Sequence, residues 1–338
     1  MKDQSTHHEA ATDPGVARRR WWFALRVLVA AALVGLVLRL VPVGEVIAAV
    51  VGAAWGPLAG ACALAAAVHA VQARRLQGLA AAVGLGWPWR RVMTIHLGAM
   101  AYGLVLPGGN LTGAAVRAVK LGRARGMMTQ AAAALLVDRL LATATLGATG
   151  LVCWVAAGGS VEVSADWLTA SLLVGVAVLG VLAVVPAVLG VERFIRPDRW
   201  RTVWGVGAVV GRLERVPTMS TGVVVRAAAW AVLAHGLGVL VCVLVARALE
   251  MELGVWDVGV ARALLLVAAL LPITVAGIGV RESAALMVLG AMGEPGGESV
   301  AFALVFFVVM WVLPAVVGAV LEVIGGRVDT PAKGAEFK

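Results

Sequence analysis

Asp138 and Arg139 are adjacent charges near the middle of the apolar run 129–156. The run is long enough to cross a bilayer, since about 20 apolar residues span the hydrocarbon core as a helix. A charged side chain at a helix centre costs roughly 2.5 to 3.5 kcal/mol on insertion scales, so such residues persist where they face a cavity, a bundle interior or a partner. We therefore expect both side chains to point away from lipid.

Two further arginines follow proline and glycine breaks in short apolar stretches. Residues 92–106 run into LPGGNLTGAAVRAVK, which contains Arg117, and residues 258–271 run into LPITVAGIGVRESAAL, which contains Arg281 and Glu282. Because proline and glycine break helices, each stretch predicts a broken-helix hairpin and not a full span. Irregular backbone at membrane depth survives when it is buried in protein or lines a water-filled cavity. The hairpin tips are therefore predicted to mark the site.

These residue types favour the binding of phosphate. A guanidinium group binds phosphate through two parallel hydrogen bonds and stays charged at any relevant pH. Backbone amides of a broken helix and the positive partial charge of its N-terminus add to this, and glycines let the backbone approach a ligand. The predicted substrate-binding residues are Arg117, Asp138, Arg139, Arg281, Glu282, Gly108, Gly109, Asn110, Gly113, Gly277 and Gly279.

Each charge in this set needs a partner. Adjacent residues of a helix point about 100° apart, so Asp138 and Arg139 do not pair well with each other. We hypothesise that Asp138 faces Arg117 or Arg281, that Glu282 faces Arg139, and that one arginine keeps donors free for a ligand. The alternative is that these ions only neutralise each other and hold the helices in register.

The composition is that of an integral membrane protein. The chain is 61% hydrophobic and 14% charged, against about 45 to 50% and 25% in soluble domains. Six apolar runs are long enough to cross as helices: 21–41, 46–71, 129–156, 168–190, 222–248 and 299–324. The predicted fold class is therefore all-α, a polytopic membrane helix bundle with six full spans and two re-entrant broken-helix hairpins. The first run is longer than a signal-peptide core and ends in no cleavage site, so we expect it to remain as the first helix.

The charge pattern predicts the topology. The net charge is +9, and most lysines and arginines lie in segments 1–20, 74–91, 117–125, 193–215 and 327–338, whereas the remaining loops are acidic. By the positive-inside rule, both termini are cytoplasmic. We therefore expect a multi-pass protein of the bacterial cytoplasmic (inner) membrane, with cytoplasmic tails 1–20 and 325–338 around a flippase-like transmembrane domain 21–324.

The two hairpins are predicted to enter the membrane from opposite faces. Basic residues flank the first, and acidic residues flank the second. Each lies between two full spans, which together predict inverted repeats over 46–156 and 222–324. Between the repeats, tryptophans and a charged face in 198–215 predict a helix on the cytoplasmic interface.

Signals for other functions are weak. His69, His96 and His235 are isolated in apolar surroundings, so we interpret them as hydrogen-bonded core residues, and the three cysteines as packing residues. No metal-ligand spacing and no GxSxG, HExxH or Walker A sequence occurs. We therefore predict no metal, no cofactor, no nucleic-acid partner and no enzymatic activity.

The segments PGGNLTGAAVRAVKL and LLVDRLL, with the later LPITVAGIGVRESAALMVLG, resemble the transmembrane flippase-like domain of the lysylphosphatidylglycerol synthase family over about residues 20–325. The resemblance implies a polytopic bundle that binds or translocates anionic or lipid-linked substrates. It assigns this role to Arg117, to Arg139 with Asp138, and to Arg281 with Glu282. Some members carry a cytoplasmic aminoacyl-transferase domain. None follows in this sequence, so synthase activity is not expected.

The function predicted from the sequence is binding and translocation of an anionic phospholipid or a lipid-linked phosphate through a charged midplane cavity. Two alternatives stay open: a membrane transferase that acts on a lipid-linked sugar, and a non-transporting subunit of an envelope complex. The expected partners are membrane lipids with phosphate headgroups. A homo-oligomer and an envelope-biogenesis partner both stay open.

Overall fold

The computed structural model describes residues 14–106, 109–158, 218–270 and 277–326, with a few positions between 172 and 179. Every element in these ranges is helical. The predicted span 168–190, the predicted interfacial helix 198–215 and most of both predicted tails lie outside the described residues.

The described helices follow one another with short connections, many of them marked by proline or glycine. Pro42, Pro88 and Pro295 stand at helix starts, where the missing N–H of proline costs no helical hydrogen bond. The helices are α1 (Pro14–Leu40), α2 (Val43–Gly52), α3 (Trp55–Ala82), α4 (Trp89–Val105), α5 (Asn110–Gly122), α6 (Met128–Ala156), α7 (Thr221–Ala248), α8 (Val255–Leu270), α9 (Val280–Ala291), α10 (Gly296–Phe307) and α11 (Leu313–Gly326), with a π-helical segment (Val308–Val312) that joins the last two.

Four helices in the described ranges are long and apolar enough to cross a membrane: α3, α6, α7 and the continuous helix Gly296–Ile324. The bent pair α1 and α2 makes a fifth if it counts as one span. The predicted all-helical, multi-pass membrane class is therefore confirmed. The structure supports four to five spans within its described part, and the prediction of six full spans is not confirmed.

The apolar run 46–71 is not one span, which corrects the sequence prediction. Helix α2 ends at Gly52, α3 begins at Trp55, and the α1 and α2 segments meet at 84°. Ala53 and Ala54 are extended there, and the N–H of Ala54 donates to the carbonyl oxygen of Ala248 at 2.8 Å. Hydropathy does not detect a break that is made by two alanines.

Helices α3 and α7 form the central pair, and two apolar cores lie toward opposite ends of it. One core joins the first half of α3 and the second half of α7 to α8, α9 and α10. The other joins the second half of α3 and the start of α7 to α4, α5 and α6. Burial of small residues such as Ala61, Ala65 and Ala234 allows the central helices to pack closely.

The same order of helices occurs twice. Helices α3 to α6 have 28, 17, 13 and 29 residues, and α7 to α9 have 28, 16 and 12, followed by the 29-residue helix Gly296–Ile324. In the first set, α3 packs on α4 and α6, and α4 packs on α5. In the second set, α7 packs on α8 and α10, and α8 packs on α9. Between the sets, α4 packs on α11 and α8 packs on α6. The contacts of one set therefore correspond to those of the other.

Each pair of short helices is separated at the predicted break. Helix α4 ends at Val105 before α5 begins at Asn110, and α8 ends at Leu270 before α9 begins at Val280. Helices α4 and α5 pack backbone to backbone, because a Cβ on Gly113 would lie 2.8 Å from the carbonyl oxygen of Ala99. The re-entrant path of these pairs through a membrane stays a prediction.

Candidate functional site

A cavity of about 160 Å³ lies between α3, α4, α5, α6, α8, α9 and the segment that joins α10 to α11. It is lined by three arginines and two histidines, and by aromatic and small apolar residues. Of the described residues that line it, none is acidic. The polar lining comprises Arg117, Arg139, Arg281, His69, His96 and Gln72.

Arg117 lies two turns into α5 and is 4% exposed. Its Nε is buried without a hydrogen-bond acceptor. Within the described ranges the side chain has no ion pair. A buried charge of this kind is expensive unless it is neutralised, so its position beside a cavity points to an anion that enters from outside the chain.

Arg139 lies on α6, and its side chain is exposed at the surface of the chain and borders the cavity. It too has no ion pair in the part of the chain that the structure describes. Its neighbour Asp138 points elsewhere, as the 100° step between adjacent helical residues requires. Arg139 therefore presents a second guanidinium to the same space as Arg117.

Arg281 lies in the first turn of α9 and is held by aromatic rings. Its Cζ lies 3.8 Å from the ring centre of Phe307 and 5.4 Å from that of Trp311. Arginine over an aromatic face is attracted by the negative charge of the ring surface. The two rings therefore help to position a guanidinium that borders the cavity.

The ion pair of Asp138 differs from the hypothesis. The Nε of Arg75 on α3 donates to Oδ1 of Asp138 at 2.7 Å, and both residues are buried. The predicted partners, Arg117 and Arg281, line the cavity instead. Arg75 escaped the sequence reasoning because it stands in a run of basic residues that was assigned to a cytoplasmic loop, whereas α3 continues through it to Ala82.

The hypothesis that Glu282 faces Arg139 is wrong. Glu282 instead caps the N-terminus of its own helix, α9. The backbone N–H of Gly279 donates to Oε2 of Glu282 at 2.7 Å. A carboxylate in the first turn also stabilises the positive end of the helix dipole. Glu282 is therefore occupied by the local structure of α9.

The predicted glycines divide between the cavity and the turns. Gly113 lines the cavity, whereas Gly109, Gly277 and Gly279 stand in turns before helices with φ of 53°, 76° and 83°. A Cβ on Gly277 would lie 3.3 Å from Nε of Arg281, and the space that this glycine leaves therefore admits the arginine. Asn110 begins α5, and Gly108 lies outside the described residues.

His69 and His96 form a hydrogen-bonded pair at the cavity wall, which we call the first histidine layer. Nδ1 of His69 lies 3.3 Å from Nε2 of His96, and Nε2 of His69 lies 3.1 Å from the carbonyl oxygen of Met310. Met310 belongs to the π-helical segment, a form common at functional sites. The interpretation of these histidines as hydrogen-bonded core residues is confirmed, but their pairing was not foreseen.

An equivalent arrangement, the second histidine layer, lies in the other set of helices. Nε2 of His235 lies 2.9 Å from the carbonyl oxygen of Ala142, and Nδ1 lies 3.4 Å from both terminal nitrogens of Arg262. His69 and His235 each lie fourteen residues after the first residue of α3 and α7. His96 and Arg262 each lie seven residues after the first residue of α4 and α8.

The acceptors of the two layers correspond as well. Met310 and Ala142 each lie fourteen residues after the first residue of α10 and α6. The sequence signal for this correspondence was the equal spacing of the histidines from their helix starts, which becomes visible only once those starts are known. Arg262 was missed because it stands near acidic loop residues in a stretch interpreted as a hairpin.

Two other pockets lie toward opposite ends of α3. A groove of about 450 Å³ between the second half of α3 and the start of α7 is basic and is lined by Arg74, Arg75, Arg226 and Trp230. A pocket of about 460 Å³ near the start of α3 is acidic and is lined by Glu45, Glu250 and Glu298. Helix α3 has 28 residues and is therefore about 42 Å long. The basic groove and the acidic pocket lie toward its opposite ends, so the described part of the molecule has a basic end and an acidic end.

Comparison with known protein families matches residues 23–318 to the family described as Lysylphosphatidylglycerol synthase TM region. The match covers most of the chain and includes α3 to α10, which form the cavity. No curated protein matches the chain.

Proposed function

The chain belongs to the lysylphosphatidylglycerol synthase TM region family, and from this premise we propose that it binds the phosphate of an anionic phospholipid or a lipid-linked phosphate in the arginine-lined cavity and carries that headgroup across the membrane. One observation carries the proposal. Arg117, Arg139 and Arg281 line one cavity, and no described lining residue is acidic.

The charge of the cavity supports an anionic ligand. Arg117 and Arg139 have no acidic partner in the described ranges, and Asp138, the nearest carboxylate in sequence, is engaged by Arg75. A purely structural network would neutralise its own charges, since unpaired buried ions destabilise a fold. Guanidinium groups that converge on a phosphate would be compensated by charge-assisted hydrogen bonds instead.

The size of the cavity suits a headgroup and not a whole lipid. Its volume of about 160 Å³ is below the roughly 300 to 1,000 Å³ of pockets that enclose drug-sized ligands. In this proposal the phosphate and its nearest substituent enter, while the acyl or prenyl chains stay in the lipid. The helices then need to part only far enough to pass a polar group.

The basic groove between α3 and α7 supplies a route to the cavity. Arg75 lines the groove, whereas Gln72, one turn earlier on α3, lines the cavity. The ion pair of Arg75 with Asp138 therefore stands between the two spaces. We propose that a headgroup collects at the groove through Arg74 and Arg226 and passes when this pair opens.

The doubled helix order supports transport by an inverted repeat. Two sets of four helices with corresponding contacts are the architecture in which one set rocks against the other around a midplane site. The basic end of the bundle would face the cytoplasm and the acidic end the outside, which follows the positive-inside rule. We propose on this basis a bacterial inner-membrane protein with cytoplasmic termini.

The transferase alternative gains no comparable support. It needs a carboxylate that is accessible to a lipid-linked donor, and the two candidates are engaged: Asp138 by Arg75 and Glu282 by the N-terminus of α9. A binding and transport role uses the arginines that the cavity presents, and it needs no catalytic acid.

The test is reconstitution of the purified chain into vesicles with a fluorescent short-chain phosphatidylglycerol, followed by chemical quenching of the label in the outer leaflet. We expect the protein to raise the quenched fraction above one half. The Arg117→Gln variant should weaken headgroup binding about 10- to 100-fold, because a hydrogen bond to a charged group contributes roughly 1.5 to 3 kcal/mol.

Arg247→Gln is the matched control, because Arg247 is an exposed arginine at the end of α7, away from the cavity. It should behave as the unaltered protein does. Quenching that stays at one half, or a loss of function that is equal in the two variants, contradicts the proposal. Formation of a new lipid product would support the transferase instead.

A further inference from the structure

The first histidine layer has one arrangement of protons when both rings are neutral. A carbonyl oxygen can only accept, so Nε2 of His69 carries the hydrogen that is donated to Met310 at 3.1 Å. Nδ1 of a neutral His69 is then an acceptor, and Nε2 of His96 must donate to it at 3.3 Å. Nδ1 of His96 is consequently left as a bare acceptor.

That atom is buried and unsatisfied. His96 is 6% exposed, and its Nδ1 has no hydrogen-bond partner in the described part of the chain. A buried acceptor without a donor keeps its full desolvation penalty. The residue lines the arginine cavity, so the unsatisfied acceptor belongs to a residue of the proposed anion site.

The charges around His96 decide when it can take a proton. The titratable and charged groups near His96 come from five helices. They are His69 and Arg75 on α3, Arg117 and Lys120 on α5, Asp138 and Arg139 on α6, Arg281 on α9, and Glu322 on α11. Two neutral pairs account for four of these groups, since Arg75 binds Asp138 and Lys120 binds Glu322. Arg117 and Arg139 have no ion pair in the described ranges, and they repel a further positive charge.

We propose that Nδ1 of His96 takes up a proton when a phosphate-type anion enters the cavity, so that the site binds the anion and the proton together. The step forms one N–H bond with a proton from water and changes no oxidation state. When the anion leaves, the proton returns to water. The inference rests on the proposed function, and it provides that function with an energy source, because a proton gradient would bias the movement of the headgroup.

The physical reason is reciprocal linkage. A phosphodiester brings a negative charge that offsets the arginines, so charging His96 becomes less costly when the site is occupied. If bound anion raises the proton affinity of His96 by some factor, protonation of His96 raises the affinity of the cavity for the anion by the same factor. Anion affinity should therefore rise as the pH falls, by up to about tenfold per pH unit for a single linked proton.

The second histidine layer supplies the matched control. His235 makes the same hydrogen bond to a carbonyl oxygen, at 2.9 Å, but its ring partner is Arg262, and it does not line the cavity. Arg262 is already charged and takes up no proton. A proton linked to anion binding should therefore disappear in His96→Gln and persist in His235→Gln.

The experiment is calorimetric titration of the purified full chain in detergent, in two buffers of different ionisation enthalpy, which counts protons per bound ligand. The probes are dioctanoyl phosphatidylglycerol and its deacylated headgroup, glycerophosphoglycerol, and these two arms distinguish a lipid from a free anion. Both are phosphodiesters without a proton that titrates in this range, whereas a phosphate monoester has a second pKa near about 6.

We expect the unaltered protein to take up about one proton per bound headgroup. Binding without proton uptake, or uptake that survives in His96→Gln, overturns the inference and leaves the proposed function intact. An absence of binding by both probes overturns both. Binding by the unaltered protein without proton uptake overturns the inference even if His96→Gln does not fold. Binding of the free headgroup as tightly as of the lipid would identify a soluble phosphodiester as the anion.

Discussion

His69 on α3 and His235 on α7 hold the same place in helices of equal length and make the same hydrogen bond to a carbonyl oxygen, yet of the two only His69 borders the arginine cavity. The difference lies in the partner. His69 meets the ring of His96, whereas His235 meets the guanidinium of Arg262. One layer therefore leaves room for a ligand, and the other is filled by the chain itself.

The residue three positions after each histidine accounts for the difference between the filled layer and the open layer. After His235 comes Gly238, where a Cβ would overlap the guanidinium of Arg262. After His69 comes Gln72, which lines the cavity. A glycine admits the arginine that closes the second layer, and a polar side chain borders the space that the first layer keeps open.

A second pair of corresponding positions differs in charge. Arg75 and Asp138 form the buried ion pair of the first set, and the matching positions of α7 and α10 hold Val241 and Phe306 in an apolar core. Both solutions are buried. A shared helix frame therefore carries an ion pair in one set and hydrocarbon at the matching depth of the other, while the arginine cavity is lined by residues of both sets.

The largest expected effect concerns this ion pair. Asp138→Asn should lower the free energy of unfolding by about 3 to 5 kcal/mol, because it leaves Arg75 buried and unpaired. The double variant Arg75→Met with Asp138→Leu imitates the apolar pair of the other set and should recover most of the loss. Equilibrium unfolding in mixed micelles measures both. A double variant as unstable as Asp138→Asn would show that the two sets are not interchangeable at this depth.

The next effect tests the filled layer. Gly238→Ala should cost about 1 to 3 kcal/mol, because the new Cβ collides with Arg262 in a packed interior. Gly236→Ala on the same helix is the control, since nothing lies within 4 Å of its added Cβ. Thermal unfolding in detergent should separate the two variants. Equal melting temperatures would mean that Arg262 moves aside without cost.

A smaller effect compares the two histidines directly. His69→Leu and His235→Leu should each lose about 0.5 to 1.5 kcal/mol of stability, the net value of one hydrogen bond. Their effects on ligand binding should differ, because only His69 lines the cavity. Calorimetry with dioctanoyl phosphatidylglycerol provides that readout. A loss of affinity in both variants would contradict the assignment of the ligand to the cavity that His69 borders.

The smallest effect concerns the aromatic support of Arg281. Phe307→Leu removes the ring that lies 3.8 Å from Cζ of the arginine. Arg281 is buried and the ring of Phe307 is half-buried, so the contact contributes at least the roughly 0.5 to 1 kcal/mol of an exposed pair, and headgroup affinity should fall at least about two- to fivefold. Phe302→Leu is the control, because this ring is buried in the apolar core and does not line the cavity. Equal affinity in both variants would show that Arg281 is oriented by other contacts.

Much of the fold could be predicted from hydropathy and breakers. Three of the four long helices, α6, α7 and Gly296–Ile324, coincide with apolar runs, and the short helices end at the predicted Leu-Pro breaks. The exception was the run 46–71, which bends at Ala53 and Ala54. That bend depends on a hydrogen bond from Ala54 to the end of α7, a contact that no local pattern reports.

The composition of the site was predictable in part for the same reason. Apolar residues flank Arg117, Arg139 and Arg281 in the sequence. Exposing these charges to lipid would be costly, and this cost can be judged from the neighbouring residues alone. That they converge on one cavity agrees with this expectation. Arg75 was overlooked because a cytoplasmic charge run and the end of a buried helix look alike until the helix boundary is known.

The sequence by itself determined that charges within apolar runs, such as Arg117 and Asp138, must lie inside the bundle, because burial energy depends on each residue and its neighbours along the chain. Only the tertiary structure decided which group meets which. His69 and its acceptor Met310 are 241 residues apart, and Arg75 and Asp138 are 63 apart. Such pairs form when helices that are distant in sequence pack side by side, and hydrogen bonds of this kind depend on distances of a few tenths of an ångström.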